Sequence, residues 1–108
     1  MAKEVIKVFP EEMTKRTQYR MLEGTDSQKM STAVDSVLNV KAWMLHKDED
    51  TEVLTVETED GELFATISTI FIKQFKGIVE FFGEDVGEIK VDSATSRAGR
   101  TYLTCSVF

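Results

Sequence analysis

The segment Asp60-Gly-Glu-Leu-Phe-Ala-Thr-Ile-Ser68 restricts this chain more than any other stretch. Asp60-Gly61 is a hairpin dipeptide, because both residues tolerate the positive φ that a tight turn demands. Leu63 to Ile67 then reads as a strand, and Ser68 offers its hydroxyl as a helix N-cap. After it Phe71, Phe75, Ile78 and Phe82 recur at spacings of four, three and four, one face of an α-helix, with Lys73 and Lys76 off the stripe. Gly83 is placed to end that helix in a left-handed conformation. Turn, strand and helix follow one another with no linker between them.

The flanking patterns extend this frame. Val53 to Glu57 pairs with Leu63 to Ile67 around the turn. Val37 to His46 alternates, with Leu38, Val40, Ala42 and Met44 on one face and Asn39, Lys41 and Trp43 on the other. The acidic Lys47-Asp-Glu-Asp50 turns this strand back. Beyond the helix, Val86 to Val91 and Tyr102 to Phe108 read as strands joined by a polar loop, and Leu103, Cys105 and Val107 point inward. Thr14 to Leu22 reads as an extended edge or ligand-facing strand, and Glu23 to Ser31 as a loop. Residues 1–13 read as an N-terminal arm holding the single proline, Pro10. Meander, helix and closing hairpin predict an all-β fold over residues 1–108. The expectation is a five-stranded OB-type Greek-key barrel with one α-helix between its third and fourth strands, plus the N-terminal extension.

Composition narrows the function classes. With 42% hydrophobic and 30% charged residues, the 108-residue chain can bury one core and is not read as disordered. No apolar run approaches the roughly 18 residues of a membrane span, and Met-Ala-Lys-Glu lacks the pattern of a secretory leader. One cysteine permits no internal disulfide and points to a reducing, cytosolic setting. One histidine and one cysteine are too few for a zinc site, and Asp48-Glu-Asp50 lacks calcium-loop spacing. No Gly-rich phosphate loop is present, and a nucleophile–base pair would require His46 and Cys105 to meet without an orienting third group. The expectation is therefore a non-enzymatic protein with no cofactor and no metal.

From Thr51 onward, the Asp-Gly turn, the strand ending in Ile-Ser, the helix, the Ile-Lys-Val strand and Ser-Arg-Ala-Gly-Arg-Thr-Tyr-Leu carry a resemblance. In order and spacing they resemble the small single-stranded-DNA-binding proteins of tailed phages that replicate by protein priming. The resemblance covers residues 50–108, and 14–49 by order of elements alone. It implies non-sequence-specific binding of single-stranded DNA in support of phage replication, in the host cytoplasm, with phage replication proteins as possible partners.

Single-strand binding needs aromatic plates for bases and cations for phosphates. Trp43, Phe64 and Tyr102 fall on the non-core parity of three strands, which would gather them on the barrel's outer surface. Packing beneath the N-terminal segment, or in a dimer contact, is the competing reading of the same rings. Lys41, Arg97 and Arg100 supply cations, the two arginines bracketing Gly99 in a loop rich in hydroxyls. Tyr19 and Arg20, with Lys15 and Arg16, form a second basic-aromatic cluster. Ordinary solvated side chains are the competing reading of both sets of cations, and the usual one for a charge run such as Lys15 to Arg20. The net charge of −6 favours a different role, a small acidic phage protein that uses the aromatic patch to bind a protein partner.

Overall fold

The computed structural model describes residues 3–108, so Met1 and Ala2 of the expected arm lie outside the described residues. The chain is mostly β, a curled half-barrel sheet with two α-helices. Its elements are β1 (Lys3–Phe9), α1 (Lys15–Glu23), β2 (Ser27–Lys29), a 3-10 turn (Met30–Ala33), β3 (Ser36–Asp48), β4 (Thr51–Thr58), β5 (Leu63–Thr66), α2 (Thr69–Phe82), β6 (Glu88–Thr95) and β7 (Thr101–Val107). The anticipated meander, helix and hairpin are β3 to β7.

β3 organises the sheet. One edge pairs antiparallel with β4 from Val40 to Asp48. Its other edge is shared, with Ser36–Asn39 bonding β6 and Trp43–Asp48 bonding β1. A strand that changes neighbours along its length curls the sheet. The β4–β5 hairpin turns at Gly61 with φ +85, as the Asp-Gly dipeptide requires. Closure between β5 and β7 is not made. The outer edge of β5 takes β2 in parallel, while β7 lies beside α2, whose Gln74 Oε1 accepts from the Cys105 N–H at 2.7 Å.

Among the described residues the sheet has seven strands, five of them β3 to β7, because residues read as arm and loop also pair. The largest departure is α1, where Thr14 to Leu22 is helical rather than extended. Thr14 Oγ1 accepts from the Thr17 N–H at 3.2 Å, and Gly24 ends the helix at φ +72 with its N–H on the Arg20 carbonyl. The alternation of Lys15, Thr17, Tyr19 and Met21 defined no apolar strand face. Cap, good helix formers and a glycine stop outweigh it.

Each helix covers one face of the sheet. Against α2 lies the main core, with Leu38, Val40, Trp43, Leu45, Leu54, Val56 and Phe64 meeting Phe71, Ile72, Phe75 and Ile78. Beneath α1 a smaller cluster joins Met13 and Met21 to Ala42, Met44 and Leu63. Ser68 caps α2 as anticipated, its Oγ accepting from the Phe71 N–H at 3.2 Å. Two details of α2 differ from expectation. Phe82 is 55% exposed, and Gly83 combines φ +92 with an extended ψ of 178, a conformation reserved for glycine. Cys105 points inward as expected, and Leu103 packs at the margin of the core, but Val107 is exposed.

Candidate nucleic-acid interface

The three aromatic rings expected to form a stacking platform are not displayed together. Trp43 is 2% exposed, donates from Nε1 to the Glu84 carbonyl at 2.9 Å, and meets Phe75 edge-on at 5.2 Å. Phe64 is 6% exposed in the same core. Tyr102 alone of the three is half-buried at the sheet margin.

A bulge explains Trp43. Val40 pairs with Thr58 and Ala42 with Glu57, so the β3–β4 register slips by one residue at Lys41. Before the slip Leu38 and Val40 face α2. After it Trp43 and Leu45 face α2, and Ala42 and Met44 turn beneath α1. An extra residue in a strand reverses every side chain beyond it. Phe64 has a second cause. α1 covers the sheet's other face, so Leu63 is buried beneath α1 while Phe64 is buried toward α2, and β5 has no solvent side there.

The expected cations are at the surface, at separate places. Lys41 is exposed on the bulge. Arg97 and Arg100 are exposed at the β6–β7 tip, a turn closed by Ser96 N–H to the Arg100 carbonyl at 2.8 Å and Arg100 N–H to Ser96 Oγ at 3.2 Å. Among the described residues neither arginine has an acidic partner within ion-pair distance. That tip projects beyond Ser36, the start of β3, whereas α1 packs across Ala42 and Met44 in its second half. Arg97 and Arg100 thus stand apart from the α1 cluster.

The cluster on α1 is compact. Lys15, Arg16, Tyr19 and Arg20 follow i, i+1, i+4, i+5 spacing, which places them on one helix face opposite buried Met21. Together they line a shallow surface hollow, with Tyr19 64% exposed. Arg20 Nε meets Asp26 Oδ2 at 3.3 Å; Lys15 and Arg16 make no ion pair among the described residues. Because Asp26 is 60% exposed, the Arg20 charge remains open to an anionic ligand.

A polar patch lies under the other end of α1. On the sheet face beneath that helix are His46 of β3, Thr55 of β4 and Ser27 of β2. His46 is 3% exposed and Thr55 fully buried. His46 Nδ1, Thr55 Oγ1 and Ser27 Oγ have no hydrogen-bond partner among the described residues. The His46 pKa is held below the usual imidazole value, first by burial and then by the Lys3 ammonium, with Asp48 opposing. Lys3 itself donates to the Leu22 carbonyl at 2.9 Å near the end of α1. Thr55 and Ser27 had no distinguishing mark in the sequence. The only signal was polar residues at positions facing inward once α1 is recognised as a helix.

His46 and Cys105 do not meet. Cys105 belongs to the core under α2, and its thiol is pushed up to about 12 by burial, so it is no thiolate near neutral pH. His46 lies on the opposite sheet face. Among the described residues no helix is long and apolar enough to cross a membrane. Comparisons with protein families, with curated proteins and with solved structures found no match to this chain.

Proposed function

We propose that this protein binds single-stranded DNA without sequence preference, as a non-catalytic component of phage replication in the host cytoplasm, and that α1 is the main contact. The observation that carries this reading is the Tyr19 ring, 64% exposed and surrounded by Lys15, Arg16 and Arg20. A phenol ring offers a stacking plate to any base, worth roughly 1–3 kcal/mol, and flanking cations neutralise the neighbouring phosphates. The β3-to-β7 wiring supports the same reading. A three-strand meander, a helix and a hairpin whose first strand returns to pair with the first strand of the meander is the order of an OB-type barrel. Here β1, β2 and α1 are additions to that frame. Arg97 and Arg100 form a second cationic point for a longer strand.

The test is fluorescence anisotropy of a labelled, unstructured oligonucleotide. Engagement of three cations gives a slope of log K against log salt of about −2. Tyr19→Ala weakens binding by about tenfold to a hundredfold, and double-stranded DNA binds more weakly. Affinity unchanged by Tyr19→Ala removes α1 from the contact.

A second reading, an acidic protein that docks on a protein partner, draws on a different surface. Phe81 and Phe82 stack edge-on at 4.9 Å while 82% and 55% exposed, beside an apolar cleft of about 400 Å³ floored by Trp43, Leu45, Phe75 and Val79. Exposed aromatic surface of this kind marks an interaction site. Apolar docking there would be nearly independent of salt, which separates the two readings.

A further inference from the structure

We propose that the solvent face of α2 is a self-association surface, on which a second copy of this chain lays its own α2 antiparallel about a two-fold axis at Gly77. The proposal stands independently of the single-strand reading. Beside its buried stripe, α2 carries a second row at spacings of four, three and four, made of Ile70, Gln74, Gly77 and Phe81. All are exposed, Ile70 at 41% and Phe81 at 82%. Apolar side chains of this size gain from a cover that the single chain does not give them.

Gly77 points to a helix as that cover. It lies inside α2 in ordinary helical backbone, and a Cβ placed on it would meet nothing within 4 Å. Glycine within a helix is destabilising relative to alanine, and no packing inside the chain requires it here. Ile70, Lys73, Gln74 and Gly77 follow i, i+3, i+4, i+7 spacing, the corners of the hole that receives a side chain from a facing helix. Gln74 is drawn toward β7 by its bond to the Cys105 N–H at 2.7 Å, and Gly77 has no side chain, so this hole is open. Phe81 follows Gly77 by as many residues as Lys73 precedes it. A two-fold at Gly77 therefore sets each Phe81 level with Lys73 of the other copy, over its hole.

The charges fit a second copy. Lys73 and Glu80 lie on the same flank of the exposed row, and neither has an ion-pair partner among the described residues. In the antiparallel arrangement each Lys73 comes within about 1.5 Å of the axial level of Glu80 in the other copy, which gives two symmetric pairs. The net charge of −6 makes two copies repel over much of their surface. On α2 the charged residues are Lys73, Lys76 and Glu80, and Lys76 is held by Glu52. Because α1 covers the opposite sheet face, pairing through α2 leaves both Tyr19 faces open. A contact along one helix of about 21 Å is at the small end of specific interfaces, so the association is weak.

Sedimentation velocity of the full chain, from micromolar to millimolar concentration, should show the mass rising from 12.2 kDa toward twice that value. Phe81→Ser should weaken dimerisation by about tenfold or more. Gly77→Gln fills the hole, so it should weaken the dimer while raising the melting temperature of the monomer. Lys73→Glu and Glu80→Lys should each weaken it by about threefold, and the double variant should restore it. Within one helix these two residues stand about 10 Å apart, so restoration reports contact between copies. All the substituted positions are exposed, and circular dichroism verifies that the variants keep their fold. A mass of 12.2 kDa at every concentration, or one beyond two copies, overturns the proposal. So does a dimer indifferent to Phe81→Ser, or a double variant no better than either single one.

Discussion

Replacing Trp43 separates a core residue from a stacking residue in one measurement. The ring is 2% exposed, meets Phe75 edge-on, and donates its Nε1–H to the carbonyl of Glu84, in the segment joining α2 to β6. Truncation to alanine removes a large buried aromatic, which costs roughly 3–5 kcal/mol in cores, and leaves the Glu84 carbonyl without its donor, about 1 kcal/mol more. A total of about 4–6 kcal/mol is comparable to the whole stability of a small domain, ~5–15 kcal/mol. Trp43→Ala is therefore expected to be largely unfolded or to melt some 20 °C or more lower, at ~4–8 °C per kcal/mol. Trp43→Phe keeps most of the apolar volume and loses the hydrogen bond, for about 1–2 kcal/mol. Urea unfolding followed by circular dichroism measures both. Oligonucleotide anisotropy on folded Trp43→Phe should give an affinity within twofold of the parent. In the parent, single-stranded DNA should leave the buried indole emission nearly unquenched. A Trp43→Phe protein of normal stability that no longer binds DNA would refute the placement of this ring in the core.

His46 makes stability depend on pH. Its pKa is lowered in the folded state by burial and Lys3, so the unfolded chain takes up the proton first. Stability from the neutral imidazole is present above the unfolded value near 6.5 and declines as pH falls through the folded value, by at most about 1.4 kcal/mol per pH unit. His46→Gln should flatten the difference in urea midpoints between pH 7.5 and pH 5.5; an unchanged difference rejects this assignment. Ser68→Ala removes the hydroxyl that accepts from Phe71 N–H and should cost about 1 kcal/mol by thermal melting, with Ser68→Asp restoring it. Deleting Lys41 removes the bulge but leaves Val40, Ala42 and Trp43 opposite Thr58, Glu57 and Val56 in regular register, so Trp43 still faces α2 and the deletion variant should keep a cooperative melting transition; its loss rejects this register.

Local chemistry was legible wherever it was decided within a few residues. The Asp60-Gly61 turn, the Ser68 cap and the Phe71, Phe75, Ile78 stripe stand where the sequence placed them. Long-range choices were not. Nothing in Val37 to His46 announces a bulge, because Leu38 to Leu45 reads equally well as unbroken alternation. The slip depends on β4, whose Thr58 and Glu57 fix the register from outside the strand. The reading of Thr14 to Leu22 as extended then compounded the error. Without α1 the sheet had a solvent face, and Trp43 and Phe64 were assigned to it. Polar residues beneath a helix, such as Thr55, cannot be distinguished from surface threonines until that helix is known.

Recognising α1 as a helix also changes how the net charge of −6 bears on nucleic-acid binding. An extended Thr14 to Leu22 would alternate Lys15 and Tyr19 away from Arg16 and Arg20, splitting the cations between two faces. As a helix the same residues converge on one side, and Met21 anchors the other beneath Ala42 and Met44. Carboxylates flank the helix at Glu11, Glu12, Glu23 and Asp26, while others lie in the Asp48–Asp50 turn and the Glu57–Glu62 hairpin; exposed charges farther apart than about 8–10 Å are largely screened at physiological salt. On the proposed reading, a DNA strand would meet the Lys15, Arg16 and Arg20 face of α1 with these acids at the helix ends. The acidic remainder disfavours extensive wrapping, so the proposed binding predicts a short footprint, limited to the nucleotides reached by Tyr19 and its three neighbours, which oligonucleotides of increasing length would measure.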